Sequence, residues 1–555
     1  MTKQGPGPGP ETQNEPDRQP SILHGLEISS SLKDKKRTVH EIASRRRYLA
    51  LLGISLGCLL ASALIVGLVE GIQAYHDLHI TAARPVSSQI AGAFAGNTIS
   101  RGYAPPINKQ GIHDQRFYDA WGIQPTDTAS LAGERYAAYM DDIQPGVRRY
   151  NVFWQPFESS GVLPSTQPLS CPAGYQLVPD GGGSLQSRGY RQYHCYSAAQ
   201  IQLFEAYLAL DAAHSIQSCA TIWAIPGPPF QNPECGGQVI WNHTVTLGCI
   251  PLSPAIMQDF QDFVNFLAEH YNTDQGRFSH YIVWNEVANG DWFDASPLID
   301  SRAAVSASDT SLWLDIYAHM LQLAHDAIQR HQTQPAMLYI SLDQIWERPQ
   351  GPCPPYIPGL QHCHIGSKTV VEGMWQRLGT SIDWSLAIHP YGNPSMVAWP
   401  ASYHFADVER LGAFQIAHLR ALGVKDPQNW PQAKIAATEQ GWSPIGDAAQ
   451  ELAAEYICVA HDIMSRSNHA VFVTHNDFQG TSSNDTTGLI PVWTGCLLNS
   501  TEGMSAPTFA AYAASHPGTW DTRADHFCCK EHFLGCPTSN STATSASARK
   551  LRHHL

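Results

Sequence analysis

Short, uninterrupted apolar runs recur along the chain, separated by longer stretches in which apolar residues return every three or four positions. The short runs are typical of strands buried on both faces of a parallel sheet, and the longer stretches are typical of amphipathic helices. Helices are predicted over residues 253–271, 312–331 and 449–467. The eight predicted strands are Gln89–Ala95, Val147–Phe153, Cys219–Ala224, Tyr281–Asn285, Met337–Leu342, Trp384–His389, Lys434–Thr438 and Ala470–Thr474.

This alternation of strands and helices predicts an α/β fold with a parallel sheet. Eight strands are the number that closes such a sheet into a (β/α)8 TIM barrel, here over residues 88–518. A doubly wound open sheet is the alternative. Neither a GxGxxG nor a GxxxxGK[ST] motif of nucleotide-binding open sheets follows an early strand, which favours the barrel.

Residues 48–70 form a long apolar segment that no charged residue interrupts between Tyr48 and Val69. At about 1.5 Å per residue, a helix of this length can cross a hydrocarbon layer of about 30 Å. Seven Lys and Arg residues at positions 33–47 precede it, and an excess of positive charge is typical of the cytosolic flank. We therefore expect a transmembrane signal-anchor helix, with a buried core helix as the alternative. The topology would be single-pass type II, with the C-terminal part lumenal or extracellular.

Composition divides the rest of the chain. Residues 1–47 are polar and begin with a Gly- and Pro-rich stretch, which predicts a disordered cytosolic tail. Residues 71–87 are interpreted as a short stalk. Residues 519–555 contain cysteines and end in Ser, Thr, Ala and basic residues, so a largely disordered tail is expected.

Twelve of the thirteen cysteines follow the apolar segment, where an exported chain meets an oxidising environment. Their even number indicates a disulfide framework, although spacing does not determine the pairing. Cys353 and Cys363 would close a local loop. His362 and His364 flank Cys363, so a metal site is the alternative, but no second ligand pair accompanies them. Glycosylation is expected at the four Asn-x-Ser/Thr sequons that begin at Asn242, Asn484, Asn499 and Asn540.

The charge of the predicted exported part limits its partners. Beyond residue 47 the chain has 25 Lys and Arg against 42 Asp and Glu, a net charge of about −17. A surface of this sign repels nucleic acids and anionic polymers, whereas it is compatible with neutral sugars.

Two of the predicted strands end in a glutamate. Glu286 follows the fourth strand and Glu439 follows the seventh. TIM-barrel enzymes keep their chemistry at the C-terminal ends of the strands. Cleavage of a glycosidic bond with retention needs a protonated acid and an ionised carboxylate about 5–5.5 Å apart, which glutamates on facing strands can provide. A solvated loop position is the alternative for either glutamate taken alone.

Asn285-Glu286 at the end of strand 4, together with Glu439 at the end of strand 7, resembles the signature of the clan-A retaining glycoside hydrolases, which are built on (β/α)8 barrels. The resemblance implies that Glu286 is the acid/base, that Glu439 is the nucleophile, and that Asn285 binds the 2-hydroxyl group of the sugar. Arg149 on strand 2 is similar to the arginine that supports the nucleophile, and a cation there would keep Glu439 ionised. Arg148 could exchange roles with Arg149, because adjacent strand residues point to opposite faces.

Other positions match the same clan through less specific motifs. His389 and Tyr391 resemble a His-x-Tyr motif whose phenol hydrogen-bonds to the nucleophile. The Asn-Glu-Val, His-Pro-Tyr and Glu-Gln-Gly motifs are similar to those of an uncharacterised secreted branch, over residues 90–515. Many clan members end strand 8 with a tryptophan beneath the sugar, whereas this chain offers His475 and Asp477. Further candidates for substrate contacts are Trp154, Trp292, Trp442, Trp493 and Asp343.

The sequence therefore predicts a membrane-anchored retaining glycoside hydrolase that acts on an oligosaccharide, polysaccharide or glycoconjugate without a metal or organic cofactor. A type II anchored glycosyltransferase would share the topology, but the chain contains no Asp-x-Asp to hold the metal of a nucleotide sugar. A catalytically silent, carbohydrate-binding barrel is the second alternative.

Overall fold

Eight parallel strands close into a ring in the computed structural model of the chain. Each strand pairs in parallel with the next, and the last pairs with the first, so the sheet has no free edge. The (β/α)8 TIM barrel predicted from the sequence is confirmed. The strands are β1 (Gln110–His113), β2 (Val147–Phe153), β3 (Gln217–Trp223), β4 (Gly276–Val283), β5 (Met337–Leu342), β6 (Ser385–Ile388), β7 (Ile435–Ala437) and β8 (Ala470–Asn476).

The structure describes residues 103–106, 108–113, 144–158, 163–179, 192–226, 239–240, 245–246, 248–274, 276–294, 307–348, 364–442 and 447–476. The apolar segment 48–70, the predicted strand Gln89–Ala95 and both predicted tails lie outside these residues. Within the stretches just given, no helix has both the length and the apolar character that a membrane crossing requires. The signal-anchor helix and the segment boundaries remain predictions.

Helices precede most of the strands, and their ends follow local sequence signals. The Ser253 side chain accepts a hydrogen bond from the backbone N–H of Ile256, which caps the N-terminus of helix α3 (Pro254–His270), and Pro254 occupies its first turn. All three predicted helices are present. The helices are α1 (Trp154–Phe157), α2 (Ala198–Ala213), α3 (Pro254–His270), α4 (Ala307–His331), α5 (Ser367–Arg377), α6 (Val408–Ala421) and α7 (Asp447–Arg466), and three 3-10 turns lie at Phe405–Asp407, Pro427–Asn429 and Pro431–Ala433.

An antiparallel hairpin of Tyr175–Pro179 and Tyr193–Ser197 stands between α1 and α2. The disulfide Cys171–Cys195 links it to the segment that precedes it. Cys249 and Cys458 are also disulfide-bonded. Disulfides are thus part of the fold, as predicted, but Cys219 is a free thiol buried inside the barrel, so the framework does not include all twelve cysteines.

The prediction of Gln89–Ala95 as the first barrel strand is wrong, because β1 (Gln110–His113) takes that place in the closed ring. The sequence gives little sign of β1, since it carries a single aliphatic side chain, that of Ile112. Its position between β8 and β2 depends on Gly111. A Cβ atom at this residue would lie 2.6 Å from Thr474 Cγ2 and 2.8 Å from the carbonyl oxygen of Val147. Glycine therefore permits the close approach of three strands that closes the ring.

The barrel interior is filled by side chains of moderate size from seven of the strands. Tyr103 packs against this layer, and its hydroxyl donates a 3.0 Å hydrogen bond to Gln217 Oε1. His280 lies beside it, with Nε2 3.2 Å from the same hydroxyl. The interior is thus packed at the end of the barrel where the strands begin, and TIM-barrel enzymes keep their active sites at the opposite end. The interior layer is Val147, Cys219, Ile282, Met337, Tyr339, Ala387, Ala436, Val471 and Phe472.

Candidate active site

A strained turn after β4 places Glu286. The backbone φ is 67° at Trp284 and 38° at Glu286, values that are uncommon for residues with a side chain and cost about 1–3 kcal/mol each. Ser341 on β5 holds the turn. Its hydroxyl accepts a 3.0 Å bond from the Glu286 N–H, and its carbonyl accepts a 3.1 Å bond from the Val287 N–H. The fold thus maintains an unfavourable backbone conformation at the residue that the sequence singled out.

Glu439 follows β7 and is held by two side chains. Its Oε1 accepts a 2.7 Å hydrogen bond from the Tyr391 hydroxyl, and its Oε2 lies 3.1 Å from Nη1 of Arg149. The same arginine nitrogen donates a 2.9 Å bond to the carbonyl oxygen of Thr438. Both oxygens of Glu439 therefore accept bonds that stabilise its ionised form.

The alternation of β2 decides between the two arginines. Arg149 points into the barrel, where Nε donates to Thr221 Oγ1 at 2.9 Å and Nη2 lies 3.4 Å from Asn285 Oδ1. Arg148 points away and pairs with the buried Asp211, with 2.6 Å between Nη1 and Oδ1. The partner of Glu439 is Arg149, and the exchange with Arg148 does not occur.

His389 lies between the two glutamates. Its Nδ1 is 2.7 Å from Glu286 Oε1 and 3.5 Å from Glu439 Oε2. The two carboxylate oxygens are therefore at most about 6.2 Å apart, the sum of these two distances. The imidazole is fully buried, whereas the Glu286 and Glu439 side chains are 14% and 21% exposed. Both glutamate side chains are thus partly exposed to solvent beside the buried His389 ring.

The pKa values of the two carboxyl groups are shifted in opposite directions. Burial raises the pKa of Glu286 despite the opposing effect of His389, and the charges of Glu439 and Asp343 add to the rise. For Glu439, burial also acts to raise the pKa, but His389, Arg149 and Tyr391 outweigh it and lower the pKa to about 2. Glu439 is therefore ionised at neutral pH, whereas the pKa of Glu286 lies above its usual value, as the division between nucleophile and acid requires.

Asp343 and His475, both proposed from the sequence as substrate contacts, form hydrogen bonds with other residues of the protein. Asp343 Oδ1 accepts bonds from the Ile345 N–H at 3.1 Å and the Ser367 hydroxyl at 2.9 Å, and Oδ2 contacts His364 Nε2. His475 is 1% exposed and pairs with Gln440, with 3.0 Å between Nδ1 and Nε2. Asp343 acts on the site through the pKa of Glu286, as described above.

The tryptophan candidates separate into two kinds. The prediction of Trp154 as a substrate contact is wrong, because its ring is fully buried. The ring lies 5.7 Å from the Phe263 ring, and its indole N–H donates a hydrogen bond to Glu158. It packs behind the barrel strand. Trp442 is 7% exposed and donates to the Gly392 carbonyl oxygen at 2.5 Å. Trp292 is half-buried, with its ring 5.6 Å from that of Trp223. Asp477 and Trp493 lie outside the described residues.

Three residues of the site escaped the sequence analysis. His113 ends β1 and helps to lower the pKa of Glu439, and it was missed because β1 was missed. Ser341 belongs to an apolar run in which a single serine carries no signal. Trp223 ends β3, is 5% exposed, and stacks on Phe153 with ring centroids 5.4 Å apart. The position of Trp223 at the end of a predicted strand is the feature of the sequence that could have identified it.

Residues 254–410 match the model of a family of unknown function (DUF5722). This region runs from α3 to the start of α6, so it includes Glu286, His389 and Tyr391 but not Glu439. It is less than a third of the chain. No curated protein matches the sequence.

Solved structures with a similar fold include an endo-1,4-beta-mannanase from Rhizomucor miehei, at 12% identity and a TM-score of 0.39, covering 75% of this chain and 95% of that one. A monomeric beta-xylosidase from Caulobacter crescentus matches at 12% identity and a TM-score of 0.42, covering 74% and 69%. The endo-1,4-beta-xylanase XylE from Penicillium canescens matches at 13% identity and a TM-score of 0.40, covering 75% and 95%. Similarity at this level does not bear on the reaction or the substrate of this chain.

Proposed function

We propose that the chain is a retaining glycoside hydrolase. The observation that carries the proposal is the pair Glu286 and Glu439 at the ends of β4 and β7, with oxygens at most about 6.2 Å apart and pKa values shifted in opposite directions. Retaining hydrolysis requires a carboxylic acid and a carboxylate about 5–5.5 Å apart, a separation that the upper bound of about 6.2 Å allows.

In the proposed first step, the ionised Glu439 attacks the anomeric carbon while Glu286 transfers its proton to the leaving oxygen. In the second step, Glu286 accepts a proton from water, and that water releases the sugar from Glu439 with net retention. Arg149 and Tyr391 hold the Glu439 carboxylate. Asn285 is 3% exposed and lies beside Arg149, which agrees with a role in binding the 2-hydroxyl group.

The separation of the carboxylates favours retention over inversion. Inverting enzymes place a water between the carboxyl groups and separate them by about 6.5–9.5 Å. Here Nδ1 of His389 lies 2.7 Å from an oxygen of Glu286 and 3.5 Å from an oxygen of Glu439. Those two oxygens are therefore at most about 6.2 Å apart, which is less than the separation in inverting enzymes. The substrate class is a neutral carbohydrate, in keeping with the acidic composition beyond residue 47.

The deciding experiment is a screen of the purified full-length chain against aryl glycosides and polysaccharides, with Glu286→Ala and Glu439→Gln as paired variants. We expect hydrolysis of at least one glycoside by the wild-type protein, and its loss in Glu439→Gln. Binding of a sugar without turnover would instead favour the silent barrel. Transfer from a nucleotide sugar would favour the glycosyltransferase.

We further propose that residues 48–70 anchor the enzyme in a membrane with the barrel lumenal or extracellular. Protease added to sealed microsomes should remove only the short N-terminal tail and leave the barrel protected. Glycosidase treatment should lower the mass if a sequon is used. Digestion of the barrel in sealed vesicles would contradict this topology.

A further inference from the structure

A second cluster of ionisable side chains lies where the hairpin after β2 packs on α3. Its members are His194 on the hairpin, Asp259 and Asp262 on α3, and Glu158 after α1. All four are at least nine-tenths buried, with exposures of 1% to 7%. One ligand atom from each of His194, Asp259 and Asp262 lies within 4.8 Å of the other two.

The charges of this cluster do not balance. Three carboxyl groups surround one imidazole, and among the described residues no Lys or Arg forms an ion pair with any of them. The uncharged amide donors Gln192 and Gln258 contact Asp259 and Asp262 at 2.7 and 3.1 Å. Buried carboxylates without matching positive charge are costly unless they bind a proton or coordinate a metal. The excess negative charge of the cluster can therefore be offset by bound protons or by a metal ion.

The orientation of His194 suits a metal ion. Its Nδ1 lies 2.6 Å from Glu158 Oε1, and the other oxygen of Glu158 accepts a 2.6 Å bond from the Trp154 indole. Glu158 can thus accept a hydrogen bond from Nδ1–H of His194. The other ring nitrogen, Nε2, then faces Asp262 and lies 3.4 Å from its Oδ2. A carboxylate behind a histidine is the usual arrangement around metal-bound imidazoles, because it fixes the ring and raises its basicity.

We infer that His194 Nε2, Asp259 and Asp262 form a binding site for a divalent transition-metal ion such as Zn²⁺, with Glu158 orienting the histidine. The imidazole nitrogen favours Zn²⁺ over Ca²⁺ or Mg²⁺, which prefer oxygen ligands. Asp259 and Asp262 stand three residues apart on α3, so both reach the same face of the helix. The Asp262 Oδ2 that now lies near Nε2 would share the metal with it.

The metal would have a structural role that is independent of the proposed hydrolysis. It would tie the hairpin to α3 on the side of the barrel where β2 continues into α1. The disulfide Cys171–Cys195 joins the same hairpin at the residue next to His194. Two cross-links would then hold the chain that leaves β2, the strand that carries Arg149.

Metal analysis of the full-length chain tests this site. After equilibration with Zn²⁺ and dialysis, the wild-type protein should retain one more equivalent than Asp262→Asn, and Zn²⁺ should raise its melting temperature. Glu158→Gln should weaken Zn²⁺ binding by about 10- to 100-fold, the usual effect of losing such an orienting group. His270→Gln, which removes a half-exposed histidine of α3, serves as the control and should bind as the wild type does. His553 and His554 are replaced by Ala in every protein tested, because adjacent histidines can bind zinc.

X-ray absorption spectroscopy of the zinc-loaded wild-type protein tests the site without the replacement of any buried residue. The account predicts nitrogen and oxygen neighbours at about 2.0–2.2 Å and no sulfur. Sulfur near 2.3 Å would place the zinc on cysteines and overturn the assignment. Equal zinc content in the wild type and Asp262→Asn, or binding of Ca²⁺ as tight as that of Zn²⁺, would also contradict it.

Discussion

Nδ1 of the fully buried His389 lies 2.7 Å from Oε1 of Glu286. The same nitrogen is 3.5 Å from Glu439, so one imidazole acts on both carboxyl groups. The pKa of each is lowered by His389, although burial keeps that of Glu286 above its usual value. His389 therefore sets the pH range in which one group is protonated and the other ionised.

Replacing His389 by Asn should move the whole pH profile of kcat/KM to higher pH. The acidic limb reports the ionisation of Glu439, and the basic limb reports the loss of the proton from Glu286. Because His389 lowers both pKa values, its removal raises both. The measurement is a kcat/KM profile on the best aryl glycoside from about pH 1.5 to pH 10, a range that includes the pKa of Glu439 at about 2. A shift of both limbs toward acid would contradict the proposed role.

Asp343→Asn should affect one limb only. The charge of Asp343 raises the pKa of Glu286, so the substitution should move the basic limb to lower pH. The acidic limb should stay in place, since Asp343 is not among the groups that shift Glu439. Asn can still accept the bonds from Ile345 and Ser367. Movement of the acidic limb alone would show that the two carboxyl groups have been assigned the wrong way round.

Tyr391→Phe should lower kcat/KM by about 10- to 100-fold, because it removes a hydrogen bond to a charged group, worth about 1.5–3 kcal/mol. The lost bond stabilises the Glu439 carboxylate, so the acidic limb should move to higher pH. The control is Tyr271→Phe, whose hydroxyl bonds the Ile201 carbonyl behind the barrel. An unchanged acidic limb in Tyr391→Phe would remove this residue from the account.

Trp154→Phe should lower stability and leave KM unchanged. The indole N–H is a hydrogen-bond donor to the buried Glu158, and the ring stacks on Phe263. Losing both a donor to a buried carboxylate and part of the packed ring costs about 1–3 kcal/mol. Urea unfolding gives the stability, with the half-buried Trp430→Phe as the comparison. A raised KM with unchanged stability would restore Trp154 as a substrate contact.

Most of the barrel could be predicted because its strands carry continuous apolar runs. Val147–Phe153 and Met337–Leu342 match the predicted bounds to the residue. By contrast, β4 begins at Gly276, five residues before the predicted start, because polar residues such as Ser279 and His280 are buried in the part of the strand that precedes Tyr281. A hydrophobic pattern does not register polar side chains that the fold itself satisfies.

Positions at the ends of strands predicted the residues at the centre of the site, but they did not predict the direction in which each side chain points. Trp154 directly follows β2 and Glu286 lies three residues after β4, yet the Trp154 side chain turns outward into the core. The cluster around His194 could not be predicted, since its members come from three separate segments that only the folded chain brings together. Residues 48–70 lie outside the described structure, so the membrane anchor rests on composition alone.

The central claim is that Glu439 forms a covalent bond to the sugar while Glu286 supplies and removes the proton. In Glu286→Ala, an aryl glycoside with a good leaving group should still form the glycosyl-enzyme, but its hydrolysis should slow. Azide needs no general base, so it should partly restore turnover. Glu439→Gln should lose about 10³-fold or more in kcat, with no rescue by azide.

The most direct measurement is the product of the azide reaction in Glu286→Ala, together with the intact mass of the enzyme during turnover. The account predicts a glycosyl azide of retained configuration and a glycosyl adduct on the peptide that contains Glu439. A product of inverted configuration, or an adduct on another residue, would contradict the mechanism proposed here.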